Sequence, residues 1–232
     1  MKTKSTILGL LLALAPFLVK AQNCDAFFPY KKGMVIEQQS FNPKNKLTGT
    51  VKQKVTDITN TAKGKQVDFA SEYFDAKGKL VGSSNFSVTC KNGVITVDMR
   101  NYLDAKSKES FSGANVTMEG TPLEMPSNLS AGMTLPEGTL IMKMQMGDSP
   151  IPMNMDMNMR IFDRKVEGTE SVTTPAGTFN CFKLSQSVEM KMMFTVSAKS
   201  IEFYSKEFGM VRSESYDSKG KLTGYTVLSK ME

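Results

Sequence analysis

Between residues 140 and 162 apolar and polar side chains alternate with a period of two. Met142, Met144 and Met146 share one face, with Lys143 and Gln145 on the other. After the break Gly-Asp-Ser-Pro-Ile-Pro, Met153, Met155, Met157 and Met159 resume the alternation against Asn154, Asp156, Asn158 and Arg160. Successive side chains leave a strand on opposite faces, so this pattern predicts half-buried β-strands. Two such strands around a short Gly/Pro break predict an antiparallel hairpin. In a helix the same methionines would scatter around the whole circumference. A further run, Val188, Met190, Met192, Phe194 and Val196, alternates with Glu189, Lys191, Thr195 and Ser197 and predicts one strand over 179–196.

The rest of the chain reads the same way. Strands are expected at 34–41, 47–58, 66–74, around Phe86, Val88 and Cys90, and at 94–99, 166–173, 201–208, 210–216 and 222–228. Asn92-Gly93 predicts a tight hairpin turn, and Pro175 with Gly177 another. One turn pattern recurs: aromatic, Asp or Asn, any residue, Lys, Gly or Asn, Lys, Leu, any residue, Gly. It occupies 41–49, 74–82 and 216–224. The Asp or Asn can bond the local backbone, and the Gly or Asn can take a positive φ. The copies are irregularly spaced, which indicates reuse of a turn and not a solenoid. A short charged helix is expected at 100–110, and the proline-broken 121–138 reads as loop. The fold class expected is mostly β: a single antiparallel β-barrel or wrapped half-barrel of about a dozen strands, with at most one short helix. A sheet of that size must curl or close to hide its edges.

The first 21 residues read as a secretory signal peptide: Lys2 and Lys4, an apolar run from Ile7 to Val19, and Ala21 at the cleavage position. The apolar run is too short to span a bilayer, and no other stretch approaches that length. Residues 22–232 then form one β-rich exported domain. Gln22 and Asn23 precede Cys24, which argues against lipidation at that cysteine. Loss of Lys2, Lys4 and Lys20 lowers the formal charge from +6 to +3, too little to suggest nucleic acid as a partner. Export permits a disulfide. Of Cys24, Cys90 and Cys181, the expected bridge is Cys24–Cys90, which would tie the exported N-terminus to a strand and leave Cys181 as a buried thiol.

The chain has no histidine. That removes Ser-His and Cys-His catalysis in their usual forms and most zinc sites. The carboxylates Asp98, Asp104, Asp156, Asp163 and Glu170 show no pairing pattern, and no phosphate loop or dinucleotide fingerprint is present. No enzyme activity, cofactor or metal is expected. What stands out is methionine: 10 of the 18 lie between Met142 and Met193. Methionine is unbranched and polarizable, and it suits a surface that adapts to what it touches. Three readings follow: a plain Met-rich core, a compliant wall for an apolar ligand, or a thioether site for Cu(I), which soft sulfur selects. Alternate residues on one strand stand about 6.5–7 Å apart, so copper would need ligands from neighbouring strands.

Arg164-Lys165-Val166-Glu167-Gly168, the turn Pro175-Ala176-Gly177-Thr178-Phe179, and Phe208-Gly209-Met210-Val211 carry a resemblance. In them the chain resembles exported TapB-like proteins, related to a large family of secreted domains of unknown function. The resemblance implies a β-rich envelope domain, by analogy like the half-barrels of periplasmic lipoprotein carriers. The functional expectation is a non-catalytic exported protein of the periplasm or outer-membrane periphery of a Gram-negative bacterium, or a secreted one. A Met-rich concave face of Met144, Met146, Met155, Met157, Met190 and Met192 would hold a lipid, another apolar small molecule or a client protein. A periplasmic Cu(I)-binding protein and a purely structural envelope protein are the alternatives.

Overall fold

Alternation becomes strands almost throughout. A computed structural model describes residues 24, 26–27, 30–61, 64–102, 114–146 and 154–232; the expected signal peptide lies outside them. The strands are β1 Val35–Phe41, β2 Leu47–Thr61, β3 Gly64–Asp75, β4 Leu80–Lys91 and β5 Val94–Val97. Then come β6 Ala114–Thr121, β7 Leu123–Pro126, β8 Thr134–Leu135, β9 Gly138–Met146 and β10 Asn154–Thr174. The chain finishes with β11 Gly177–Lys191, β12 Thr195–Ser205, β13 Gly209–Asp217 and β14 Leu222–Met231. Among the described residues the one helical turn is a 3-10 turn at Met99–Tyr102; the remainder of the expected helix lies outside them.

All pairings are antiparallel, and they run β6-β9-β10-β11-β12-β13-β14-β1-β2-β3-β4-β5-β7, with β8 beside β10. The two edges of this path, β6 and β7, are consecutive in the chain and joined through Pro122. The 13 strands therefore form a nearly closed antiparallel barrel. Close packing holds β6 on β9 and brings β9 against β7 beside the seam. A Cβ on Gly120 would stand 2.0 Å from the Thr139 carbonyl oxygen, and one on Gly138 would stand 2.8 Å from Leu123 Cδ2. Thr121 and Thr139 exchange hydrogen bonds, each backbone N–H donating to the other's Oγ1 at 3.1 Å.

Three expectations are corrected. Residues 121–138 are not all loop: Leu123 and Met125 alternate well enough to add β7 to β5, with Pro126 tolerated at the sheet edge. The hairpin strand and 166–173 are one 21-residue strand, β10, carried past register shifts at Phe162/Lys165 and Val166/Gly168. The run 179–196 is not one strand. It reverses at Met192–Phe194, where Lys191 pairs with Thr195. No Gly, Pro, Asn or Asp marks that turn, so the alternation on its two arms reads as continuous.

The three recurrent turns are identical. Asn42, Asp75 and Asp217 each accept through Oδ1 the backbone N–H groups two and four residues on, at 2.8–3.0 Å. Asn45, Gly78 and Gly220 hold the positive-φ position, at 58°, 80° and 77°. Asn92 (51°) and Gly93 (74°) form the expected tight turn with both φ positive. The β1–β2, β3–β4, β11–β12 and β13–β14 turns lie at one end of the barrel, because alternate connections of an up-and-down sheet share an end. The N-terminal segment crosses the opposite end. There Cys24 is bonded to Cys90 with the Cα atoms 5.8 Å apart, Phe27 N–H donates to the Lys206 carbonyl, and Tyr30 meets Phe69 edge-on.

Candidate ligand-binding interior

The methionine strands pair as methionine. Met142 stands opposite Met157 and Met144 opposite Met155; Met118 pairs with Met142 and Met159 with Met190. Met99, Leu123, Leu140, Met142, Met157, Met159 and Ile161 form one buried cluster, against which Met190 packs half-buried. Of the expected face, Met157 is 3% exposed inside this cluster, and Met192 is 37% exposed in the β11–β12 turn. Met144, Met146 and Met155 lie on β9 and β10, with their side chains outside the description.

The open space lies elsewhere in the barrel. A cavity of about 380 Å³ has aromatic walls of Phe69, Tyr73 and Phe86, with Phe27 and Tyr30 from the N-terminal segment. Gln38, Gln53, Met125, Met210 and Ser213 also line it, and none of the six expected methionines does. Ser71 lies between Phe69 and Tyr73 on the same face. Its hydroxyl is buried without a hydrogen-bond partner among the described residues. A larger groove of about 530 Å³ follows the seam, where short polar residues such as Thr89, Thr96 and Asp98 mix with Met99, Met118 and Leu140.

Polar groups meet at one wall of the cavity. Arg164 of β10 donates from Nη1 to the carbonyls of Glu124 (2.9 Å) and Pro136 (2.7 Å). Its Nε donates to Gln186 Oε1 at 3.2 Å. Gln186 Nε2 in turn donates to Glu202 Oε1 at 2.9 Å, and the Tyr204 hydroxyl donates to Glu202 Oε2 at 2.8 Å. Arg164, Gln186 and Glu202 are all buried. Burial pushes the Glu202 carboxyl above the ordinary glutamate range; the Tyr204 hydrogen bond, the Arg164 charge and the Gln186 hydrogen bond pull the other way. The network has two effects. It satisfies the Glu124 carbonyl of the edge strand β7 and the Pro136 carbonyl between β8 and β9, and it places a charged, hydrogen-bonded patch beside aromatic walls.

Sequence reasoning missed Arg164, Gln186, Glu202 and Tyr204 as a group. Along 201–205 the alternation puts Glu202 opposite Ile201 and Phe203, and so on the polar face. A polar face is normally the wet one; closure of the barrel makes it part of the interior. Cys181 is free and buried, and burial pushes its thiol up to about 11. Cys24 spends its sulfur on Cys90, so it has no thiol left for a thioether-linked lipid while that bond is intact.

The fold is a nearly closed antiparallel barrel whose interior combines aromatic walls with a buried polar patch. The DUF3108-like family model matches residues 31–228, and the chain belongs to that family. Two solved structures are similar across their full lengths. A Bacteroides fragilis protein, described as an exported protein with a YmcC-like fold, shares 26% identity over 90% of this chain and 100% of its own, with a TM-score of 0.72. A Parabacteroides distasonis protein, described as a lipoprotein, shares 26% identity over 91% and 100%, with a TM-score of 0.73. No curated protein matches the chain. The relatives support an envelope location of the exported or lipoprotein type.

Proposed function

We propose that this chain is a non-catalytic envelope protein that holds an amphiphile, an apolar chain with a polar head, inside its barrel. The interior cavity carries the reading. Its volume of about 380 Å³ lies within the range of small-molecule sites. It combines aromatic walls with one convergent polar patch, as such sites do. The head group would meet Arg164, Glu202 and Tyr204, and the apolar chain would lie along Phe69 and Phe86. The methionine strands would be the yielding wall. Methionines such as Met157 and Met190, with Met144, Met146 and Met155 on the same strands, would repack at low cost, so the space could lengthen to suit its occupant; Met192, in the exposed β11–β12 turn, stands apart from that wall. The periplasm of a Gram-negative bacterium and the narrower TapB-like relation belong to this same reading.

Native mass spectrometry of the protein, purified from its own envelope without detergent, tests the proposal. The expected result is an adduct of lipid mass that is lost on denaturation and reduced when Ser213→Trp fills the cavity. A bare polypeptide from wild-type protein overturns it and favours a structural role. An adduct of copper mass would support the second reading. The register favours that reading to one extent: Met118, Met142 and Met157 put thioethers on three neighbouring strands, which a single strand cannot do.

A further inference from the structure

We propose that the hairpin end of the barrel docks on an anionic lipid bilayer, the β11–β12 turn entering the interface and the three repeated turns contacting the head groups. The inference goes beyond the interior cavity and does not depend on it.

The first observation is the turn itself. Hairpin turns facing water favour Gly, Asn, Asp or Pro; this one carries Met192, Met193 and Phe194. Met193 is 86% and Phe194 71% exposed, and Val196 just beyond is also exposed. Leu80 and Val81 are exposed at the same end, where β4 leaves its turn. Among the described residues, these and Met192 make six of the eight exposed large apolar side chains. The contiguous tip Met192, Met193, Phe194 and Val196 is the mark of an interaction surface, whereas scattered single residues would need no explanation; Leu80 and Val81 stand on the same rim, with five strands between β12 and β4.

The second observation is charge. Each repeated turn projects two lysines: Lys44 and Lys46, Lys77 and Lys79, Lys219 and Lys221. All six are exposed, and none has an ion-pair partner among the described residues. The only carboxylates within the turns, Asp75 and Asp217, are occupied by backbone N–H groups. The register sets the turns side by side. Tyr225, three residues past Leu222, pairs with Phe41, and Gly49, two past Leu47, pairs with Asp75. That steady stagger is the shear of a tilted barrel, and it brings successive turns to a common rim. Exposed apolar tips beside a row of lysines fit the anionic face of a membrane. The apolar residues would reach about 5–10 Å into the head-group and acyl boundary, while each lysine near the surface adds attraction. A soluble acidic partner would account for the lysines and would leave Met193 and Phe194 without a role.

The test is flotation of the exported protein, its N-terminus read first by intact mass, with vesicles of phosphatidylethanolamine containing phosphatidylglycerol, and with phosphatidylcholine alone. The expected result is association with the anionic vesicles only, weakening as salt rises. Met193→Ser with Phe194→Ser should weaken partitioning about a hundredfold. Independently, Lys219→Gln and Lys221→Gln should each cost about fivefold. Both sets alter exposed side chains and should leave the melting temperature unchanged. Failure of the wild-type protein to float with anionic vesicles at low salt overturns the proposal. So does equal binding to phosphatidylcholine, or flotation that neither set of substitutions reduces.

Discussion

Glu202 illustrates how one residue's environment sets its behaviour. It is buried beside Arg164, Gln186 and Tyr204, and burial raises its pKa above the ordinary value of 4.5. In the unfolded chain the carboxyl loses its proton near that ordinary value; in the folded barrel it keeps the proton to higher pH. Between the two the native state binds more protons, so stability falls as pH rises. The contribution is fully present below about 4.5 and is lost as pH climbs through the raised folded value. Glu202→Gln should flatten that decline, and melting temperatures of both proteins from acid to neutral pH would check it. Parallel curves would mean that Glu202 is not raised. The sequence could not reveal this, because alternation alone places Glu202 on the polar side.

At the scale of elements, the repeated turn shows local chemistry at its most legible. One carboxylate or amide oxygen collects two backbone N–H groups, and one Gly or Asn takes the positive φ; all of this falls within six residues. Asp217→Ala removes the acceptor for Lys219 and Lys221 N–H. The turn is exposed, so water replaces the lost bonds, and the expected cost is about 1 kcal/mol, read from urea denaturation. A cost near zero would show that the backbone geometry alone holds the turn. The β11–β12 turn is the converse case. It forms without turn residues because the pairings on either side, Lys191 with Thr195 and Met190 with Val196, leave the chain no other route. That is why the sequence pattern runs straight through it.

The whole molecule is held by contacts distant in sequence. The barrel closes because β1 pairs with β14, β5 with β7 and β6 with β9, and because Arg164 reaches the carbonyls of Glu124 and Pro136 near the seam. The disulfide ties the N-terminal segment across one end, spanning 66 residues. Restricting an unfolded loop of that length is worth about 4 kcal/mol in the chain-entropy account. Cys90→Ser should lower the unfolding free energy by about that amount. Thiol titration of the wild-type protein should find Cys181 unreactive until the chain unfolds, since its thiol is buried and pushed up to about 11. Ready labelling of Cys181 in the native state would place it at a mobile surface.

By itself the sequence determined the β class, most of the strands, the turns with positive φ, the pairing of methionines across the 140–162 hairpin, and a chemistry without histidine. These follow from alternation, from Gly, Asn and Asp at turns, and from composition, all of which act within a few residues. Only the tertiary structure decided that β6 and β7 meet across a seam and that the run at 179–196 folds back at Met192–Phe194. It also placed Met157 in a packed cluster while the cavity opened beside Phe69 and Glu202. Those outcomes depend on which distant strands pair and on which face closure turns inward. A period of two gives both faces equally, and only the closed barrel chooses between them.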